Sequence, residues 1–265
     1  MGIGTQLLTL FSLDPSGPLR QGATDKYTIE NALDFPRQTL PDFDAHIRGK
    51  HVLDYGFGFG HQAVAMIQEC GAVAVDAIDI VPRYLKAATE LAARQGETRV
   101  RFYLSNEYFR QFAERCDYYD VVVSLGCFEH YTEPETELRR MKNLVKPNGK
   151  ILITFAEPWY SHCGSHACEW CRLPWPHLFF SERTVMTVHN RYYPGATHLS
   201  YKPFLNQMTV ARFEKALQTS GCNLEFFRLY ATRGLPLVTK IPVLRELLTS
   251  SCSAILTRRS GGGSF

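Results

Sequence analysis

Apolar runs of strand length recur at 52–55, 73–78, 99–104, 120–124 and 150–155. Helical patterning separates them: 62–69 has helical composition with Gly71 as its terminator, a helix is expected to begin near Pro82, and another reaches about Leu144. Thr132, with Glu135 three residues on, is predicted to form a capping box at the start of that last helix. The run 120–124 is nearly pure valine, as expected of a strand buried on both faces. Five strand–helix steps in succession predict an α/β fold: a doubly wound, mostly parallel, Rossmann-like sheet that takes ligands at the C-terminal ends of its strands.

Outside these steps the pattern changes. Ile3, Leu7, Leu8 and Phe11 fall at helical spacing, predicting a short N-terminal helix that acts as a lid or packing arm, since its apolar face lacks the lysine or arginine of a membrane-surface helix. Pro36, Pro41 and Gly49 mark an irregular lead-in to the first strand. From 157 to 203 no period is visible and the three tryptophans lie here, which predicts an inserted cap. Thr209 then caps a helix over 210–219 that Gly221 ends, and strands follow at 224–230 and 252–257, with a second insertion at 234–250 between them. The glycine-rich end, 260–265, is expected to be a flexible tail.

Composition narrows the class. The chain is 45% hydrophobic over 265 residues, enough for one core with a smaller lobe. Its formal charge of +3 is spread thinly, with basic doublets only at Arg139-Arg140 and Arg258-Arg259, so no nucleic-acid partner is expected. No apolar run approaches a membrane span and no signal-peptide pattern opens the chain, so neither a membrane partner nor export is expected. A cytoplasmic, reducing location follows, in which the eight cysteines would be thiols.

The candidate chemistry centres on Asp54-Tyr55-Gly56-Phe57-Gly58-Phe59-Gly60. Glycines at alternate positions let the backbone adopt positive φ and approach a ligand, and the following helix aims its free N–H groups at the same place. Asp79 ends the next strand, where a carboxylate can accept hydrogen bonds from ribose hydroxyls or, alternatively, cap the helix near Pro82. Asp76, inside that strand, is the weaker candidate for the ribose.

The Asp-x-Gly-x-Gly-x-Gly stretch resembles the first motif of class I S-adenosylmethionine-dependent methyltransferases, and the Leu-Val-Lys-Pro-Asn-Gly-Lys-Ile-Leu-Ile passage resembles the approach to that family's fifth strand. The dinucleotide fingerprint would need glycine at 61, where His61 stands. The resemblance spans about 45–258 and implies a seven-stranded sheet closed by an antiparallel C-terminal edge hairpin. It also implies S-adenosylmethionine as cofactor, with Asp54, Gly56, Gly58 and Gly60 on its methionine part, Asp79 on its ribose, and Ile80 and Asn106 at its adenine. Asn106 stands where the family usually has aspartate. Leu125 and the residues after it, through His130, resemble the fourth motif, whose backbone touches the methionine end. The expected organisation is an N-terminal arm (1–45), a cofactor-binding core (46–158), a substrate cap (159–205), the C-terminal completion of the sheet (206–259) and the tail.

Methyl transfer from a sulfonium requires positioning and exclusion of water rather than one obligatory catalytic group. Where the acceptor is a hydroxyl or amine, a base helps, and His130, Glu157 and His166 are the candidates. His130 can equally be a histidine bonded to backbone at a helix start. Trp159, Tyr160 and His177 are candidates for contact with a small-molecule substrate. Cys163, His166, Cys168 and Cys171 have the ligand types of a zinc site, although the single residue between His166 and Cys168 is tight for a tetrahedron. An iron–sulfur run and plain pocket-lining thiols are the other readings of this stretch. Ser124-Leu125-Gly126-Cys127 replaces the Asn/Asp-Pro-Pro-aromatic motif of base N-methyltransferases, which favours a small-molecule acceptor. The alternatives are a catalytically silent binding or interaction protein and a nicotinamide-dependent oxidoreductase. Neither the acceptor nor the oligomeric state is legible.

Overall fold

The computed structural model describes residues 2–16, 28–193, 195–202, 204–232, 239 and 241–259. The predicted tail, 260–265, and most of the loop after Thr232 lie outside the described residues. The chain begins with α1 (Ile3–Leu10), α2 (Asp34–Thr39) and α3 (Phe43–Ile47). The winding core follows as β1 (His51–Tyr55), α4 (His61–Gln68), β2 (Ala74–Asp79), α5 (Pro82–Arg94), β3 (Val100–Leu104), α6 (Ser105–Gln111), β4 (Tyr119–Leu125), α7 (Pro134–Leu144) and β5 (Val145–Ala156). Then come α8 (Pro176–Phe179), α9 (Glu182–His189), α10 (Val210–Thr219), β6 (Cys222–Ala231), α11 (Pro242–Leu248) and β7 (Thr249–Arg258).

The strands form one seven-stranded sheet in the order β3-β2-β1-β4-β5-β7-β6. β1 to β5 are parallel, and β7 runs antiparallel between β5 and β6. This is the expected doubly wound sheet with its antiparallel edge hairpin. The winding of the sheet reverses at β1, whose neighbours β2 and β4 lie on opposite sides, so the crevice at that point is where such sheets bind ligands.

The sequence explains the local structure. Val121, Val122 and Val123 are buried because helices cover both faces of the parallel strands. Each such side chain contributes on the order of 1.5–3 kcal/mol through burial. α5 starts with Pro82 at N1 and turns Ala88, Leu91 and Ala92 inward, with Tyr84 and Leu85 packed against the same core. Thr209 caps α10 as predicted, its Oγ1 accepting from the Arg212 N–H at 3.0 Å.

Several local expectations differ. The turn at 146–149 is absorbed into β5: Tyr119 pairs Val145, whereas Val121 pairs Lys150, so the strand bulges around Pro147. Gly149 is required there because a Cβ would stand 2.8 Å from the Asp120 carbonyl oxygen. The capping box on α7 does not form; Glu133 is the N-cap and Glu135 instead grips Arg212 in a bidentate pair at 2.9 and 3.0 Å. α2, α3 and α9 occupy stretches read as irregular.

The segment before β6 builds its own small core. Leu8 of α1 packs with Ala167, Trp170, Val185, Met186 and Val188, and Ser12 forms a β-bridge with Cys171. Among the described residues no helix is long and apolar enough to cross a membrane. Cys163 and Cys168 are joined in a disulfide, which corrects the expectation of eight thiols.

Asp76 is the clearest structural charge. It is fully buried and held by Arg101 Nε at 2.8 Å, the Tyr119 hydroxyl at 2.7 Å and Arg115 at 3.3 Å. Burial works to raise its carboxyl, but the His51 ring at 3.5 Å, the Tyr119 hydroxyl and Arg101 hold it below the usual range. Its partners lie on β1, β3 and β4 and their connections, so Asp76 braces the sheet and is withdrawn as a ribose contact. Asp76→Ala strands two arginines and is expected to cost about 3 kcal/mol in urea unfolding, the low end for a broken buried pair because Arg101 is half-exposed.

Candidate functional site

β1 ends in a turn shaped by three glycines of positive φ, for two different reasons. At Gly56 (φ 98) a Cβ would meet Cys127 Sγ at 2.6 Å, and at Gly60 (φ 84) it would meet Ala88 Cβ at 2.7 Å. Both are fixed by protein packing. At Gly58 (φ 53) a Cβ would meet nothing within 4 Å, so only the backbone conformation and the space above it call for glycine. The Gly58 N–H donates to Asp79 Oδ2 at 3.0 Å, and the Val81 N–H donates to Asp79 Oδ1 at 2.9 Å. Asp79 thus ties the glycine turn to the end of β2 and fixes the approach to α5, although the N-cap itself is Val81.

A cleft of about 400 Å³ opens above this turn. Gly56, Gly58, Leu125, Gly126 and Ala156 form its floor from the ends of β1, β4 and β5, and Asn31, Ala32, Phe35 and Gln62 supply a wall. Asn31, Ala32 and Phe35 lie in the lead-in, read from the sequence only as irregular, whereas Gln62 belongs to α4. Phe57 and Phe59 also line the cleft, while Ile80 is 78% exposed and Asn106 is turned to its own helix, its Oδ1 accepting the Glu107 N–H at 2.9 Å. Neither belongs to the lining.

Asp54 lies beneath the turn, 0% exposed, and neither carboxylate oxygen has a hydrogen-bond partner. Burial, with Asp79 nearby, pushes its carboxyl up to about 7. A buried acid without donors is costly unless a ligand supplies them. The α-ammonium of S-adenosylmethionine would supply both hydrogen bonds and charge, so the residues present fit the cofactor.

The loop after β4 is pinned to the glycine turn. The Tyr131 hydroxyl donates to the Tyr55 carbonyl at 2.6 Å, and Cys127 Sγ to the same oxygen at 3.0 Å. From the other side, Asn206 Nδ2 donates to the carbonyls of Phe128 and Tyr131, both at 2.9 Å. This clamp presents Glu129 to the cleft and sets His130 beside His166, with ring centroids 5.3 Å apart.

The structure therefore brings His130 together with Glu157 and His166, which follow much later in the chain. Glu157 Oε2 stands 3.6 Å from His166 Nδ1. Burial and the neighbouring Glu129 push the Glu157 carboxyl up to about 8, and burial pushes His166 down to about 3. Both residues hold positive φ, 59 and 56, conformations that cost of order 1–3 kcal/mol and tend to collect at functional sites. Glu129 was not singled out from the sequence, although it precedes His130; only the clamp shows that it points inward.

Other candidates fall elsewhere. Trp159 packs on His177 and Tyr201 at centroid distances of 4.7 and 4.9 Å, and Tyr160 is 40% exposed; none of Trp159, Tyr160 and His177 lines the cleft. The four-ligand zinc set is not assembled, because Cys163 is bonded to Cys168 and His166 groups with Glu129 and His130.

A family model described as a methyltransferase domain matches residues 52–149. The chain is 33% identical over 123 residues to a ubiquinone biosynthesis O-methyltransferase of Leptothrix cholodnii, covering 46% of this chain and 49% of that protein. An uncharacterized methyltransferase of Mycobacteroides abscessus is 24% identical over 256 residues, 96% of this chain and 93% of its own. Among solved structures, an S-adenosylmethionine-dependent methyltransferase of Mesorhizobium loti superimposes with a TM-score of 0.55 at 17% identity, covering 87% of this chain and all (100%) of the other. The matches to the first curated relatives span only 24–49% of their length. Residues 52–149 thus match a methyltransferase domain, and the sheet has the fold of solved methyltransferases.

The unpartnered Asp54 carries two expectations. Its folded carboxyl keeps its proton up to about 7 whereas an unfolded one loses it near 3.8, so its contribution to stability falls as pH rises between those values. Asp54→Asn, which needs no ionisation, is expected to raise the melting temperature of the ligand-free protein at pH 7 by about 2–4 °C. The same change is expected to weaken S-adenosylhomocysteine binding by at least about tenfold in calorimetry, roughly 1.4 kcal/mol. Gly58→Ala is expected to cost about 1–2 kcal/mol of stability from its left-handed backbone, and Gly60→Ala more, because its Cβ has nowhere to go.

Proposed function

We propose that this chain transfers a methyl group from S-adenosylmethionine to a small-molecule acceptor. The observation that carries the proposal is the buried, unpartnered Asp54 beneath an open glycine turn, with the Glu129–His130–Glu157–His166 cluster at the same end of the sheet. In this reading Asp54 receives the ammonium of the cofactor, and Gly56, Gly58, Gly60 and Leu125 line its methionine part. Asp79 uses its remaining lone pairs on the ribose, and Ile80 and Asn106 border the adenine.

The cofactor supplies an activated methyl group. The chain's own residues orient the acceptor, exclude water and take up its proton. In this reading Glu129 and Glu157, on the rim of β4 and β5, flank the sulfonium end, and His130, on the exposed side, connects the cluster to solvent. Residues 159–205, with α1 packed on α9, form the roof over the acceptor, and Trp159, Tyr160 and His177 belong to that roof. The relative named for O-methylation favours an oxygen acceptor.

Incubation with methyl-labelled S-adenosylmethionine and fractionated metabolite extracts is expected to move label into a small-molecule fraction. His130→Ala is expected to lower the turnover of that acceptor by about 10²-fold, while leaving S-adenosylhomocysteine affinity within about twofold. Tight cofactor binding with no labelled product in any fraction favours the silent binding protein instead.

A further inference from the structure

Beside the cleft, which Glu129 lines, two buried side chains lack the partners that their placement demands, and a third offers a free ring nitrogen. Glu129 is 5% exposed, yet its Oε2 has no hydrogen-bond partner. His166 Nε2 is buried and equally unpartnered. His130 Nδ1 lies 2.6 Å from the Phe204 carbonyl oxygen. A carbonyl can only accept, so Nδ1 carries the proton and a neutral His130 keeps the lone pair on Nε2.

These three residues converge. One donor atom from each lies within 4.8 Å of the other two. Behind them stand the groups that orient metal-binding imidazoles: the Phe204 carbonyl behind His130 and the Glu157 carboxylate 3.6 Å from His166 Nδ1. Two imidazoles and one carboxylate on a shared face are the donor set of a divalent transition-metal ion. A proton shuttle alone does not call for a buried carboxylate oxygen without a donor.

We propose that Glu129, His130 and His166 bind a divalent metal ion of the zinc and manganese type, with Glu157 as a positioning residue behind His166. Three protein ligands leave coordination positions open toward the cleft. What the ion does there rests on the methyl-transfer reading: it takes an acceptor with a hydroxyl beside a second oxygen, such as adjacent hydroxyls or a hydroxyl next to a carboxylate. Bound through both oxygens, the hydroxyl loses its proton to solvent at the exposed edge of His130. Its oxygen then bonds to the methyl carbon as the carbon–sulfur bond breaks and the electron pair stays on sulfur, giving S-adenosylhomocysteine.

The test uses full-length protein stripped with EDTA and titrated with Zn²⁺ alone, with Co²⁺ as a spectroscopic probe. One Zn²⁺ per chain is expected. His130→Ala, at an exposed position that folding tolerates, and the isosteric Glu129→Gln are each expected to weaken binding at least about tenfold. The double variant Cys163→Ser with Cys168→Ser is expected still to bind one Zn²⁺ per chain, and the Co²⁺ spectrum to lack a thiolate charge-transfer band. No bound Zn²⁺ in the parent protein, or binding that survives His130→Ala and Glu129→Gln but disappears with the cysteines, overturns the proposal. The two readings fail separately. Label transfer that persists undiminished in EDTA removes the metal and spares methyl transfer, whereas stoichiometric Zn²⁺ binding without S-adenosylhomocysteine binding does the reverse.

Discussion

Everything at this site depends on β1 being hydrogen-bonded in parallel on both edges, to β2 on one side and β4 on the other. Parallel pairing puts all the C-terminal strand ends on one rim, and the reversal of winding at β1 leaves a crevice there that no crossover helix fills. The Asp79 carboxylate then anchors the glycine turn across that crevice by accepting the Gly58 N–H. Loss of this register would scatter the turn, the loop after β4 and the start of the cap.

Buried charge is treated in two opposite ways in one sheet. Asp76 is surrounded by Arg101, Arg115 and Tyr119, and its ionised form is favoured in spite of burial. Asp54, on the adjacent strand β1 where Leu53 pairs with Asp76, has no donor at all, and its ionised form is disfavoured. Burial likewise disfavours the ionised forms of Glu129 and Glu157. A folded chain can carry such acids because they hold protons until a cationic partner arrives. The contrast separates a carboxylate whose charge is supported within the sheet from acids that burial leaves without that support.

The cap is coupled to the core through few but specific contacts. Asn206 clamps the Phe128–Tyr131 loop, the Phe204 carbonyl fixes the tautomer of His130, and the Trp159 N–H reaches the Met208 carbonyl at 2.7 Å. The disulfide between Cys163 and Cys168 closes the short loop that carries His166. The cap and the segment just after it therefore set the geometry of side chains that belong to the sheet rim.

The amino-acid order alone was sufficient for the sheet, because parallel strands buried on both faces must be apolar runs, and for the glycine turn, because only glycine accepts those backbone angles next to Cys127 and Ala88. It was also sufficient to nominate Asp54, Asp79 and the pairing of His130 with the loop after β4. Local signals went astray where a distant partner outbid a near one, as when Glu135 turned to Arg212 instead of capping its own helix. The cleft wall at Asn31–Phe35, the inward orientation of Glu129 and the meeting of His130 with Glu157 and His166 were decided only by tertiary structure. Hydrophobic period encodes which face of an element is buried, whereas the partner of a buried polar group is chosen by contacts between residues that no local pattern links.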